Sequence, residues 1–359
     1  MFNELPVWDT HTMLLALRET RPTPSYWLQM FTNQVNSQNE YINFTVLPYD
    51  ADVLAPFVEP LAAGEPVYRD SSSAYQFKPA YVKPKDVIDP TAPLIRHAGI
   101  DVNLMSENEL TPMQRLNQLR LAKIQAHRRA IDRRFEWMAC RAIVDGNIVI
   151  EGDQYPTARV NFFRDPNHTI TLASGSQWGD TGVSIFDFVQ KCVDQMNDAH
   201  RGAAPTRITL GSRAWAALRK DEEFMKHMDL TIRNPAATVE RGLITPERVA
   251  KVGEMLVGGA SGATIELYRY ADRYEGDNGV EVPFIQPTDA IFTAAPASIN
   301  GYRCFGAIID PHSGYLPLEI FPRNWRDEGD PSPEYIMHQS APLMVPLHPN
   351  ATLKATVVS

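Results

Sequence analysis

Apolar positions along this chain follow two rhythms, and the switches between them mark its parts. From about Asn108 to Val144, Ile124, Ile131, Phe135, Met138 and Ala142 recur at steps of three, four or seven, the spacing that lines one face of an α-helix. Thr111 and Pro112 supply a capping hydroxyl and a first-turn proline. No proline or glycine interrupts between Met113 and Asp145, and Gly146 follows. The pattern predicts a helix of roughly 30 residues, about 45 Å long. Such a rod exceeds an ordinary globular helix and needs a large sheet or a subunit interface along its length.

Upstream the rhythm is two. Ile42, Phe44 and Val46 alternate with Tyr41, Asn43 and Thr45, as in a strand with unlike faces. Pro48, Pro56, Pro60, Pro66, Pro79, Pro84 and Pro90 punctuate this stretch. Proline cannot donate to a ladder, so the strands are short or at edges, and the segment reads as an excursion from a globular body. Residues 1–40 predict a short helix capped by Asp9 or Thr10 and carrying Met13, Leu14, Leu15 and Leu17. An apolar cluster of Trp27, Leu28, Met30 and Phe31 follows. The segment is too small to bury that cluster alone, so the main body or another subunit must cover it.

Downstream, Asn147 to Thr171 predicts a hairpin. Val183 to His200 predicts an amphipathic helix stopped by Gly202, and Arg207 to Leu210 a strand followed by a helix over Ala214 to Arg219. Thr264 to Tyr270 and Val282 to Ile285 read as paired strands around Gly276-Asp277-Asn278-Gly279. Ala290 to Ala294 and Tyr302 to Ile309 add strands. There is no internal repeat.

Charge narrows the functional classes. The chain has 359 residues and a formal net charge of −9, which argues against a dedicated nucleic-acid binder, though not against a container for one. Its 3 cysteines, Cys140, Cys192 and Cys304, form no CxxC pair, which points to a reducing compartment. No signal peptide and no run of 18 apolar residues is evident, so the chain is expected to be made in the cytosol and not to enter a membrane.

The search for chemistry returns almost nothing. Gly258-Gly259-Ala260-Ser261-Gly262 lacks the P-loop lysine and the nucleophile-elbow spacing, because Ala263 stands where the second glycine belongs; it reads as a loop. The 9 histidines form no HxxxH or HxH pair. No catalytic residue, metal site or cofactor is expected. Arg115, Arg120, Lys123, Arg128, Arg129, Arg133 and Arg134 load the long helix. The plainer reading, a solvated face with local partners such as Asp132 and Glu136, is preferred to a phosphate-facing surface. Lys83 and Lys85 either reach carboxylates on a neighbour or guard a strand edge. Trp325 reads as a core plug.

Two separated stretches carry a resemblance. One is Tyr81-Val82-Lys83-Pro84-Lys85, preceded by Tyr75-Gln76-Phe77-Lys78-Pro79-Ala80. The other is Pro322-Arg323-Asn324-Trp325, followed by Gly329-Asp330-Pro331 and Gln339-Ser340-Ala341-Pro342-Leu343-Met344. In this order and spacing they resemble the major capsid protein of lambda-like tailed phages. The resemblance implies an α+β chain with the Johnson fold of tailed-phage and herpesvirus shells. It implies an N-terminal arm over 1–40, an extended β loop over 41–95, and a peripheral domain with a spine helix over 96–202. An axial domain over 203–295 and a return to the peripheral domain over 296–359 complete it.

The implied function is a head protein that self-assembles into hexamers and pentamers enclosing phage double-stranded DNA without sequence-specific contacts. Scaffolding protein and portal are the implied partners, and a decoration protein is one that such relatives often recruit. Trp27, Phe31, Arg69, Lys83, Lys85, Arg128 and Arg129 are the subunit-interface candidates. A tail-tube subunit, or a hydrolase with a site built by the fold, are the competing readings.

Overall fold

The computed structural model describes residues 7–20, 23–39, 41–46, 73–77, 79–94, 111–152, 155–221, 248–256, 264–276 and 279–359. Arg69 and the Gly258–Gly262 loop lie outside them. In chain order the described elements begin with α1 (Thr10–Glu19), β1 (Asn33–Asn36), β2 (Ile42–Val46), β3 (Ser73–Phe77), β4 (Lys85–Ile88) and α2 (Pro112–Val144). Then come β5 (Asn147–Gly152), β6 (Tyr155–Asn161), β7 (Thr169–Thr171), α3 (Ile185–Asp198), β8 (Pro205–Leu210) and α4 (Ser212–Leu218). β9 (Val249–Leu256), β10 (Thr264–Tyr270), β11 (Arg273–Glu275), β12 (Glu281–Pro283), β13 (Asp289–Ala294) and α5 (Pro296–Ile299) follow. The chain closes with β14 (Gly301–Phe305), β15 (Phe321–Arg326), β16 (Glu334–Gln339), β17 (Pro342–Pro346) and β18 (Thr352–Thr356).

The spine is α2, 33 residues long, about 50 Å at 1.5 Å per residue. Its start is over-determined. The Thr111 hydroxyl accepts from the Gln114 amide, and the Gln114 side-chain oxygen accepts from the Thr111 amide, with Pro112 in the first turn. Ile124, Ile131, Phe135, Met138 and Ala142 are buried, so the apolar stripe read from the sequence faces the core, and Leu116 joins it further up the helix. Two small sheets cover this helix. One has the order β1-β14-β17, gathering residues from both ends of the chain; the other has the order β15-β16-β4.

A second core lies under a six-stranded sheet of order β7-β18-β13-β8-β10-β9. There α3 contributes Ile185, Val189, Val193 and Met196, packed against Ile208, Leu210, Leu267, Phe292 and Leu353. The sheet does not respect the domain limits expected at 202 and 295. β7 and β18 lie outside that span yet pair at its edge, and α3 packs with this core rather than with α2. Local sequence patterns cannot show this, because the pairing of β13 with β18 joins residues more than sixty positions apart, Asp289 to Thr356.

Two predicted hairpins are also redrawn. β5 pairs with β6, but Thr169–Thr171 leaves that hairpin for the edge of the large sheet. β10 pairs with β8 and β9, while β11 and β12 form the short hairpin carrying Gly279 at φ +69°. The glycine turn lies where its sequence places it, and the strand that enters it is β11, one element later than Thr264–Tyr270.

β2 and β3 form a two-stranded ribbon joined to no third strand among the described residues. Of its side chains, Ile42 at the base is buried.

Candidate subunit-contact surfaces

The N-terminal segment is held by two carboxylates one turn apart on α2. Glu136 accepts from the backbone amides of Tyr26 and Trp27 at 2.8 Å each and of Leu28 at 2.9 Å. Asp132 accepts from the Thr23 amide at 2.9 Å. Burial pushes the Glu136 carboxyl up, and the three amide bonds offset only part of that. Trp27 and Phe31 are 0% and 1% exposed, with Trp27 packed edge-on against Tyr26 and Tyr270. The backbone fits so closely that a Cβ on Gly301 would stand 2.7 Å from the Met30 carbonyl oxygen.

Trp27 and Phe31, offered as interface candidates in a cluster that either the main body or another subunit must cover, are covered by the main body of their own subunit. Glu136, expected to serve a neighbouring arginine, serves backbone over a hundred residues away. Asp132 does pair locally, with Arg128 at 2.9 Å.

The two sequence stretches that carried the resemblance meet in space. Lys85↔Met337↔Arg323 and Val87↔Tyr335↔Trp325 are alternate rows across β4, β16 and β15, on one face, with Asp86↔Ile336↔Asn324 between them on the other, and Val82 bridges Ser340. One face of this sheet lies on α2. There Arg120 grips Glu334 through two bonds of 2.7 Å, both side chains nearly fully buried. Burial alone would push Glu334 up; Arg120, with Asn324 and Arg326, outweighs it and holds the carboxyl below its ordinary value.

Beside them His127 and His338 stand Nδ1 to Nδ1 at 2.8 Å, rings near-perpendicular. Asp86 lies 3.5 Å from the far nitrogen of His127 and 3.0 Å from Lys123. Burial, then the neighbouring His127, drives His338 down to about 3. No spacing rule finds this pair, because its members sit on a helix and a strand 211 residues apart. Among the described residues, no group of three or more side chains suited to a metal is formed.

The opposite sheet face points away from α2. Trp325 and Tyr335 stack there, ring centroids 5.3 Å apart at 18°. Lys85 lies 4.2 Å from the Tyr335 ring and 5.2 Å from the Trp325 ring, and Arg323 lies 5.2 Å from Trp325. Trp325 is thus a half-buried platform, where a core plug was expected. Lys83 is exposed and lies over Tyr81. On α2, Arg128 also reaches Glu319 at 3.4 Å, and Arg129 is exposed.

A further groove of about 730 Å³ opens between α2, β5 and the β11–β12 hairpin, lined by Arg133, Arg134, Trp137, Glu151, Arg273 and Val280 among others. Arg133 is tied to Asp272 at 3.1 Å and to the Arg273 carbonyl at 2.7 Å, and Val280 is 62% exposed.

A long helix braced by small sheets, a second sheet domain, and a ribbon joined to no third strand among the described residues make a fold whose sites are surfaces. This is the α+β Johnson fold of viral shells, the class of a structural subunit. The chain belongs to the family described as phage major capsid protein E, whose model matches residues 9–357. It is 25% identical over 318 residues to the major capsid protein of Enterobacteria phage P21, covering 88% of each chain. It is also 25% identical over 300 residues to that of Escherichia phage lambda, covering 83% of each.

Among solved structures it resembles the crystal structure of the putative capsid protein of a prophage of E. coli CFT073. The TM-score is 0.70 at 23% identity, covering 98% of this chain and 100% of that one. The protein is a major capsid protein, a structural component of the virion. No described helix is long and apolar enough to cross a membrane.

Proposed function

We propose that this subunit assembles into hexamers and pentamers, and these into a closed icosahedral shell around phage double-stranded DNA. The β2–β3 ribbon carries the reading. An isolated two-stranded ribbon is marginal in water, and it gains stability by lying on, or adding strands to, a neighbouring copy. Permanent assemblies bury about 2,000 Å² or more per interface, an area that interlaced arms readily supply. A separate scaffolding protein and a portal guide closure. The net charge of −9 suits a wall that holds DNA without adhering to it.

In this reading the six-stranded sheet with α3 and α4 is the axial domain gathered around the symmetry axes. The α2 spine with its two small sheets is the peripheral domain. The revised grouping rests on the two separate cores. The test replaces residues 43–77, the β2–β3 ribbon beyond the buried Ile42, by a short glycine-serine linker in the full chain. The variant is expected to fold, by circular dichroism and cooperative urea unfolding, yet to give no shells when co-expressed with the cognate scaffold. Normal particles from it would remove the neighbour-contact role of the arm.

A further inference from the structure

We propose that the outward face of the β15–β16–β4 sheet receives the acidic β15–β16 tip of an adjacent copy, so that one rigid hairpin sheet carries both halves of a repeating contact. The proposal rests on the shell reading above and names the surfaces that join one subunit to the next.

The receiving half is the ladder of Lys85, Tyr335, Trp325 and Arg323. Its rings are stacked and its cations already lie over them, so little side-chain freedom remains to be lost on docking. Val87, 43% exposed, extends its apolar part. Lys83 continues the positive edge and, like Lys85, makes no ion pair among the described residues. The other face of the same strands is committed to α2 through Arg120–Glu334 and Lys123–Asp86. The sheet is therefore clamped from behind and open in front.

The inserting half is the turn that joins β15 to β16. Asp327, Glu328 and Asp330 are all exposed there and make no ion pair among the described residues. The turn is braced: the Asp327 amide donates to the Pro333 carbonyl at 3.0 Å, and the Gly329 amide to the Asp327 carboxylate at 3.4 Å. The tip does not serve its own ladder: among the described residues none of its three carboxylates pairs with Lys85 or Arg323, and Arg323 is turned to Asp310.

Two complementary patches left unpaired within one molecule pair between molecules. Because the patches differ, the contact is heterologous, and it propagates from copy to copy instead of stopping at a pair. Such a contact is what a many-membered shell requires. A nucleic acid is the weaker candidate for the same face. Arg323 is already paired to Asp310 at 3.0 Å, and the few remaining cations sit on a chain of net charge −9. Sustained phosphate binding draws on many such contacts.

The experiment uses the full chain co-expressed with its cognate scaffold, scored by sedimentation and electron microscopy. K83E/K85E and D327K/E328K/D330K, each checked for wild-type unfolding, are each expected to lower shell yield about tenfold or more. Combining all five substitutions is expected to restore most of it by re-pairing exchanged charges. Folded single-patch variants that assemble normally overturn the proposal, as does a combined variant that recovers nothing.

Lys85→Cys with Glu328→Cys gives a readout independent of closure. A disulfide between subunits is expected after mild oxidation of any assembly the chain makes, and its absence from intact particles overturns the contact. Within one subunit the pair is too far apart to bridge. A K85C/E328C chain that yields cross-linked oligomers but, like the wild type, no shells would refute the shell reading and keep this contact. A K83E/K85E variant that assembles normally but loses duplex DNA in a filter-binding assay would overturn the contact in favour of nucleic acid.

Discussion

The two faces of the β15–β16–β4 sheet are built from opposite materials. Against α2, Arg120 and Glu334 neutralise each other in full burial, Asp86 meets Lys123 and His127, and His127 meets His338. On the outer side, Lys85 rests on two aromatic rings with no carboxylate in reach among the described residues. The inner face has spent its polar groups on the fold; the outer face keeps them. On the contact proposed above, the difference separates the part of the subunit that is complete by itself from the part that meets a neighbouring copy. It also separates substitutions that stop folding from those that stop only assembly.

The largest effects fall on the inner side. Arg120→Ala leaves the Glu334 carboxylate buried without its bidentate partner, and a loss of about 3–5 kcal/mol is expected in urea unfolding. If R120A unfolds like wild type, the claim that this seam holds the sheet to α2 fails. Trp27→Ala opens a cavity between the N-terminal segment, α2 and Tyr270, and about 3–5 kcal/mol is expected. A small effect would return Trp27 to the role of a contact covered by another subunit. Glu136→Gln keeps the shape but weakens three amide bonds, with roughly 2 kcal/mol expected by the same measurement.

The histidine pair sharpens the comparison by pH. A free imidazole titrates near 6.5, and the folded pair resists protonation, His338 down to about 3. Below about pH 6.5 the unfolded chain takes up protons that the folded seam refuses. The stabilisation is therefore fully present above that pH and fades as pH falls toward 3. Asp86, half-exposed and bound to Lys123, offsets part of the burial effect on His127. Wild type is expected to lose about 2 kcal/mol more than His338→Gln between pH 7 and pH 4.5. Parallel pH profiles for the two would show that the seam does not titrate. At the small end, Arg129→Ala on the exposed side of α2 is expected within about 0.5 kcal/mol of wild type.

How much of this was legible depended on how local each cause was. The spine helix was fully legible, since its stripe and the Thr111–Gln114 capping box lie within the element itself. The amphipathic α3 was legible for the same reason. The burial of Trp27 was not, because its cause is Glu136, 109 residues along the chain. Nor was the membership of β18 in the large sheet, which is decided by pairing with β13.

The two motif stretches could be read one at a time. That they form adjacent strands of one sheet follows only from a register set across about 240 residues. The histidine pair escaped for a related reason: ligand-spacing rules look along one helix or one loop, and this pair spans a helix and a strand.

The central claim is that the chain is a shell subunit whose outward surfaces are completed by neighbours. Electron microscopy of the full chain made with its cognate scaffold tests it most directly. Closed, curved particles showing both five-fold and six-fold clusters of this protein are predicted. A uniform small oligomer, or straight tubes with no curved shells, would contradict it.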